Sequence, residues 1–323
     1  MNIAHWLAPF RIPREQVKTA SYASIRLRAG ALLSALSPRH RLTIGNTIPD
    51  KAEACIIGKI GAQELQATGR ALLQEVERHK KRGGIVALDF TDDHFSTETP
   101  HSWFYRECLG FTDICVCSSR YLQTSIKRRF TGAVHVVPEA IEIGCKSPKP
   151  AASNPITILW FGHATNLPYL VHFLPQLAGS RPLRLIVLTS AEGLQWLEAT
   201  QAPIPANVTA QCGVWSKTAM EQATSVSDVC IIPSNADDPG KAGVSSNRLI
   251  TSFALGLPTC AERLDSYIEY QRYFADIRSD ECQLTLDNPL RWRDLIIEAQ
   301  KNVVPQFSME NIGKQWLKAL GIS

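Results

Sequence analysis

No apolar run in this chain approaches the roughly 20 residues that a membrane helix needs. The opening, MNIAHWLAPFRIPREQ, has no basic residues ahead of its short apolar run, so it does not read as a signal peptide. A cytoplasmic protein is the expectation. Nine cysteines are present, an odd number scattered along the chain without the paired spacing of a zinc or disulfide framework. Cys115 and Cys117, two apart in an apolar run, share one face of a strand, where they read as buried small hydrophobes rather than metal ligands. There is no internal repeat and no low-complexity segment. Nor is there the interleaving of aromatic and basic residues that marks a nucleic-acid module, so nucleic acid is not an expected partner. With 45% hydrophobic and 20% charged residues, 19 Gly and 19 Pro, the chain is neither disordered nor collagen-like.

What is present is enough material for two domains: 323 residues with a formal net charge of +4. That charge is unevenly spread. Residues 1–150 carry 21 basic and 14 acidic side chains, and the remainder carries 13 and 16. The two halves therefore face different partners, or only one of them has a charged partner. Short apolar runs rich in β-branched residues alternate with amphipathic stretches: Asn2–Leu7, Leu42–Gly45, Ala54–Ile57, Gly84–Asp89, Asp113–Ser118 and Val134–Val137 read as strands of a parallel sheet. Ala62–Arg82 is the clearest helix between them, with Leu65, Leu72, Leu73 and Val76 at helical spacing and a basic last turn stopped by glycines. Lys146–Pro155, with three prolines in ten residues, has the composition of a linker. The rhythm then restarts with strands at Ile156–Phe161, Leu183–Leu188, Val208–Gln211, Asp228–Ile232 and Pro258–Ala261. Helices are expected at Leu167–Leu177, Ala191–Ala199, Lys217–Thr224 and Ser246–Leu255. The reading is therefore an α/β chain of two sequential units.

Ligands of open parallel sheets sit beyond the carboxyl ends of strands, where helix N-termini expose free N–H groups. Strand Asp228–Ile232 leads into PSNADDPGKAGVSS and then the helix NRLITSFALGLP. Ser245 or Ser246 is a natural N-cap there, and Lys241 and Arg248 add positive charge. A phosphate or diphosphate suits that point; the plain alternative is that Ser246 only caps the helix and both cations are solvated. Beyond another strand, VALDFTDDHF sets Asp92, Asp93 and His94 where a carboxylate or imidazole can take a proton or orient a hydroxyl. As turn or cap residues they would serve only the next helix, Trp103–Leu109.

The segment DVCIIPSNADDPGKAGVSSNRLITSFALGLPTCA resembles the donor-binding stretch of glycosyltransferases with the GT-B fold, two facing Rossmann-like domains with the active site in the inter-domain cleft. ICVCSSRYLQTSIKRRF with VHVVPEAIEI, ITILWFGHATNLPYL, and NVTAQCGVWSKTAMEQATSVSDV resemble further passages of that family, in the same order. Together they cover roughly residues 85–265. The resemblance implies residues 1–148 as the acceptor-side domain and 149–323 as the donor-binding domain, with a terminal helix crossing back. It implies transfer of a sugar from a nucleoside diphosphate sugar to a saccharide or lipid-linked acceptor, in bacterial surface polysaccharide or glycolipid assembly. Donor contacts would come from Gly162, His163, Trp215, Ser216, Lys241, Ser245, Ser246, Asn247, Arg248 and Thr251, with the base near Trp215 and Ser216. Asp92, Asp93 or His94 would serve the acceptor. Ser24, Arg26 and Arg28 would line the acceptor or phosphate side, unless the arginines form a solvated basic face. The basic first half would touch an anionic membrane from the cytoplasmic side. No metal or other cofactor is expected, because such enzymes meet the leaving diphosphate with basic residues and a helix dipole. The sequence departs from the family in two respects: many retaining members carry two glutamates eight apart, where Gly243 and Thr251 stand here, and the turn that often brings Arg and Lys to the diphosphate is Phe161–Asn166, with only His163 and small groups. A non-catalytic binding or partner subunit on the same fold is therefore the competing expectation.

Overall fold

A computed structural model describes residues 3–20, 22–96 and 98–322. Asn2, where the first expected strand begins, and Ser21, which opens the stretch SYASIRLRAGALLSA that reads as a helix in the sequence, lie outside the described residues. The chain divides into two compact units, Met1–Glu142 with Ala242–Ser246 and Gln306–Ser323, and Ile143–Lys241 with Asn247–Pro305. The expected boundary after residue 148 thus falls at 142/143.

In the first unit the strands are β1 (Ile3–Leu7), β2 (Arg41–Gly45), β3 (Ala52–Ile57), β4 (Ile85–Phe90), β5 (Ile114–Cys117) and β6 (Ala133–Val136). The helices are α1 (Gly30–Ala35), entered through a π-turn at Ile25–Ala29, α2 (Ala62–Lys81), α3 (Ser102–Leu109) and α4 (Arg120–Ile126). The strands pair in parallel in the order β2-β1-β3-β4-β5-β6. β3 to β5 are almost wholly buried, because helices cover both faces of a parallel sheet and no alternation is needed. Cys115 and Cys117 are fully buried there. The order reverses between β1 and β3, so a crevice opens beyond their carboxyl ends.

The second unit contains β7 (Ile156–Phe161), α5 (Leu167–Phe173), β8 (Leu183–Thr189), α6 (Ala191–Thr200), β9 (Val208–Val214), α7 (Lys217–Val226) and β10 (Val229–Ile232). It continues with α8 (Pro239–Ala242), α9 (Asn247–Ala254), β11 (Thr259–Ala261), β12 (Ala275–Asp276), α10 (Asp280–Asp287) and α11 (Arg293–Asn302). Its parallel sheet runs β12-β11-β10-β7-β8-β9, the doubly wound dinucleotide-fold order, with its reversal between β7 and β10. The helix expected over Leu167–Leu177 ends at Phe173 and continues as a 3-10 turn, because Pro175 has no N–H to give the α ladder. The linker-like stretch is anchored rather than free. Asp228 accepts hydrogen bonds from the Ser153 and Thr157 amides at 3.0 and 2.8 Å and pairs with Lys149 at 2.7 Å.

The last helix, α12 (Met309–Leu320), belongs to the first unit and packs on α1. A side chain at Gly313 would place its Cβ 2.3 Å from the Ala31 carbonyl oxygen and 2.6 Å from Ala35 Cβ, so glycine sets how closely the two helices approach. Trp316 lies edge-on to Trp6 of β1, ring centroids 5.4 Å apart.

Candidate functional site

The groups of interest in the second unit gather beyond β7 and β10. β7 ends at Phe161, and Gly162 follows; a Cβ there would sit 3.3 Å from Arg248 Nη1 and 3.2 Å from the Trp160 ring. The missing side chain lets the guanidinium of Arg248, second residue of α9, lie against the turn. Arg248 Nη1 is buried and has no hydrogen-bond partner among the described residues, and neither has Ser234 Oγ, just after β10. A buried guanidinium nitrogen without an acceptor is costly, and an anion satisfies it with short, charge-assisted bonds. Lys241 stands nearby in sequence, its Nζ donating to Asn166 Oδ1 at 3.3 Å and lying 5.3 Å from the Tyr169 ring centre. Tyr169 Oη donates to Asp238 at 3.3 Å, which ties α5 to the loop that carries Lys241.

The other expected donor residues divide. His163 caps a short turn by accepting from the Thr165 amide at 3.3 Å. Ser216 caps α7, accepting from the Ala219 amide at 3.0 Å, and the Trp215 amide donates to the Thr189 carbonyl. Asn247 opens α9, and Thr251 is buried on it. Ser245 and Ser246 group with the first unit. Glu262, after β11, was not foreseen. It is buried, pairs with Arg278 Nε at 2.7 Å and accepts from the Ala236 amide in the loop after β10; burial pushes its pKa up against the pull of Arg278. An acidic residue directly following an apolar strand was the available signal.

In the first unit the predicted trio separates by environment. Asp93 is a turn residue: it accepts from the Phe95 and Ser96 amides at 3.0 and 2.9 Å and from the Ser96 and Ser125 hydroxyls at 2.6 and 2.7 Å. Burial would raise its pKa, and these four bonds more than offset that. His94 stacks on Tyr105, centroids 4.4 Å apart and planes 7° from parallel; burial lowers its pKa to about 4, so it is neutral at pH 7 and a weak base. Asp92 keeps a carboxylate at the surface, 29% exposed, paired with Lys59 Nζ at 2.5 Å. Lys59 follows β3 and is 48% exposed; the Asp92 carboxylate holds its pKa up. Looking beyond strand Ala54–Ile57, as was done for β4, would have found it.

Arg26 and Arg28 are neither solvated nor open to a ligand. Arg28 is fully buried, donating from Nε to both oxygens of Asp89 at 2.7 and 2.8 Å and from Nη1 to the Val137 carbonyl at 2.8 Å, over the Trp316 ring. Arg26 pairs with Glu142 at 2.8 Å and donates to the Ala20 carbonyl. The π-turn directs both side chains inward, which overturns the expectation of a phosphate contact for Arg28 and of a solvated face for either. Ser24 is partly buried just ahead of that turn. The basic end of α2 is likewise occupied: Arg78 pairs with Glu75, Lys80 with Asp113, Lys81 with Glu77 and Arg82 with Asp50. Arg39, Arg41, Lys127 and Arg128 are exposed. The carboxylates of DFTDD go to three different partners, Arg28, Lys59 and the serines, so they form no shared metal cradle. No helix among the described residues is long and apolar enough to cross a membrane.

Two doubly wound parallel sheets in one chain match solved structures over almost their whole length. The chain has the GT-B fold. Anabaena HepE in complex with UDP aligns at a TM-score of 0.68 and 10% identity, covering 99% of this chain and 100% of that one. The lipopolysaccharide outer core galactosyltransferase WaaB aligns at 0.56 and 10% identity, covering 99% of both chains. AviGT4, a glycosyltransferase involved in avilamycin A biosynthesis, aligns at 0.54 and 13% identity, covering 99% of this chain and 96% of that one. No family model and no curated protein matches the sequence. At such identities the GT-B likeness is one of backbone, and the chemistry rests on the side chains above.

Proposed function

We propose that this chain is a glycosyltransferase that takes a sugar from a nucleoside diphosphate sugar and delivers it to a hydroxyl of a saccharide or lipid-linked acceptor. The observation that carries the reading is Arg248 Nη1, buried without a partner beside Gly162 at the β7/β10 reversal. A diphosphate supplies the missing acceptor. Lys241 and the N-terminal end of α9 add to the positive field, and that complement meets the leaving group's charge without a metal ion. The solved GT-B structures with UDP or UDP-glucose bound support a uridine donor, and the WaaB likeness supports surface glycolipid assembly.

Of the acidic run in the first unit, Asp92 is the group assigned to the acceptor, since it stays partly exposed beside Lys59 while Asp93 is tied into its turn and His94 is stacked and weakly basic. The acceptor oxygen bonds to the anomeric carbon, the bond from that carbon to the phosphate oxygen breaks, and the hydroxyl proton passes to Asp92.

Calorimetric titration with UDP tests the donor half. Arg248→Ala and Lys241→Ala are each expected to weaken binding about ten- to a hundredfold, the loss of one charged hydrogen bond. Unchanged affinity in both variants would sink the diphosphate assignment. A second reading, a non-catalytic binding subunit, is favoured by the positions where glutamates would stand. A Cβ at Gly243 would lie 2.6 Å from the Tyr121 ring and 2.9 Å from Leu122, so no carboxylate fits there, and Thr251 is buried. Donor turnover across a panel of nucleotide sugars separates the two: UDP binding with no turnover and no hydrolysis selects the subunit.

A further inference from the structure

Beyond the carboxyl ends of β3 and β4 lies an arrangement that the chemistry above uses only in Asp92. Tyr105 of α3 sends its hydroxyl to the exit of β3, where it accepts from the Ile60 amide at 3.0 Å and donates to the Gly58 carbonyl at 3.2 Å. Those two groups bracket Lys59. The same ring stacks flat on His94, two residues beyond Asp92, at 4.4 Å. One buried phenol therefore grips the backbone on both sides of Lys59 and supports the turn that carries Asp92. A Cβ at Gly58 would meet the Trp6 indole nitrogen at 2.2 Å, so the peptide cannot carry a larger residue there as it stands. Lys59 and Asp92 are joined at 2.5 Å while both stay partly exposed.

We propose that Tyr105 is a positioning residue that holds the Lys59 ammonium on Asp92 and so keeps that carboxylate aimed for an acceptor hydroxyl. The role in catalysis rests on the glycosyltransferase reading; the positioning itself does not. A lysine beside a carboxylate lowers the cost of its charge, and the benefit depends on geometry that a half-exposed side chain cannot hold alone. The titratable groups facing the pair are Glu139 after β6, Asp89 on β4, and His94 and His101 before α3. Asp89 is already spent on Arg28, so without a fixed backbone Glu139 is the other carboxylate to which the ammonium can turn.

The test is competitive acetylation of the folded protein with acetic anhydride at pH 8, reading Lys59 by mass spectrometry against exposed Lys51. Asp92→Asn removes the partner and is expected to raise Lys59 labelling at least threefold. Tyr105→Phe keeps the ring on His94 but loses both hydrogen bonds, and is expected to raise Lys59 labelling by a similar factor with Lys51 unchanged. The double variant is expected to go no further than either alone. Unchanged Lys59 labelling in folded Tyr105→Phe, with Asp92→Asn raised, would overturn the positioning role; no change in Asp92→Asn would overturn the pair. Should Tyr105→Phe not fold, amide exchange of the wild-type chain decides, since an Ile60 amide held by Tyr105 exchanges at least a hundredfold slower than an open one, and exchange at the open rate refutes the staple. Absence of donor turnover would defeat the glycosyltransferase reading and leave these labelling outcomes as they are.

Discussion

Arg28 and Arg248 are both arginines near strand ends, and sequence treats them alike. Their surroundings do not. Arg28 is ion-paired with Asp89 through Nε and Nη2 and donates to the Val137 carbonyl inside the first unit, whereas Arg248 Nη1 is buried with neither an acceptor nor a carboxylate among the described residues. Removing one member of a buried pair strands the other charge. Arg28→Met is therefore expected to destabilise the first unit by about 3–5 kcal/mol, and Arg28→Met with Asp89→Leu to recover much of that, read by urea unfolding. Arg248→Met carries no such penalty and is expected to leave stability within about 1 kcal/mol while weakening UDP binding. If both arginine variants cost the same stability, the division of roles drawn above is wrong. Much of the candidate site was legible at this scale: Asp92, Lys241 and Arg248 follow from looking beyond strands. Lys59 was within reach of the same rule beyond β3, but its tie to Tyr105 was not, because the hydroxyl that joins them crosses 45 residues of chain.

At the scale of elements, helices α1 and α12 show what a periodic pattern leaves out. The apolar grouping of Ile312, Trp316, Leu317 and Leu320 is enough to read a helix with one buried face. It does not say that Gly313 must touch the Ala31 carbonyl. Gly313→Val is expected to push the helices apart and cost about 1–3 kcal/mol, with earlier proteolysis after residue 305 as the check. An equal protease pattern and an unshifted melting curve would show that α12 is not held by this contact. The π-turn before α1 has no signal in the pattern either. An α-helix would set Arg26 and Arg28 on different faces, and the local widening brings both to internal carboxylates.

At the scale of the whole molecule, acid should act on the two units unequally. His5 and His94 both belong to the first unit, and burial lowers each pKa to about 4. His5 is held neutral between Thr43 Oγ1 at 2.8 Å and the Gly45 carbonyl at 3.0 Å. Unfolded, both bind a proton near pH 6.5, and folded they do not until about pH 4. Stability is then constant above pH 6.5, falls as pH drops through the window from 6.5 to 4, and levels below it. The expected loss is roughly 3 kcal/mol per histidine over the full window. Calorimetry between pH 7 and pH 5 should show the first unit's transition moving down more than the second's. His5→Gln should flatten that dependence, and a parallel shift of both transitions would refute the assignment.

The sequence by itself determined the alternation of strand and helix, the two-unit plan and the loops that carry chemistry, because apolar periodicity and strand ends are local properties. Only the tertiary structure decided which charges are already matched. Whether a guanidinium meets a carboxylate depends on residues far apart in the chain, as with Arg28 and Asp89, Lys59 and Asp92, or Arg26 and Glu142. The excess positive charge of the first half looked available for a partner. Folding pairs much of it internally, Arg28 with Asp89 included, whereas Arg248 Nη1, in the half with the lower charge, is buried with neither an acceptor nor a carboxylate among the described residues.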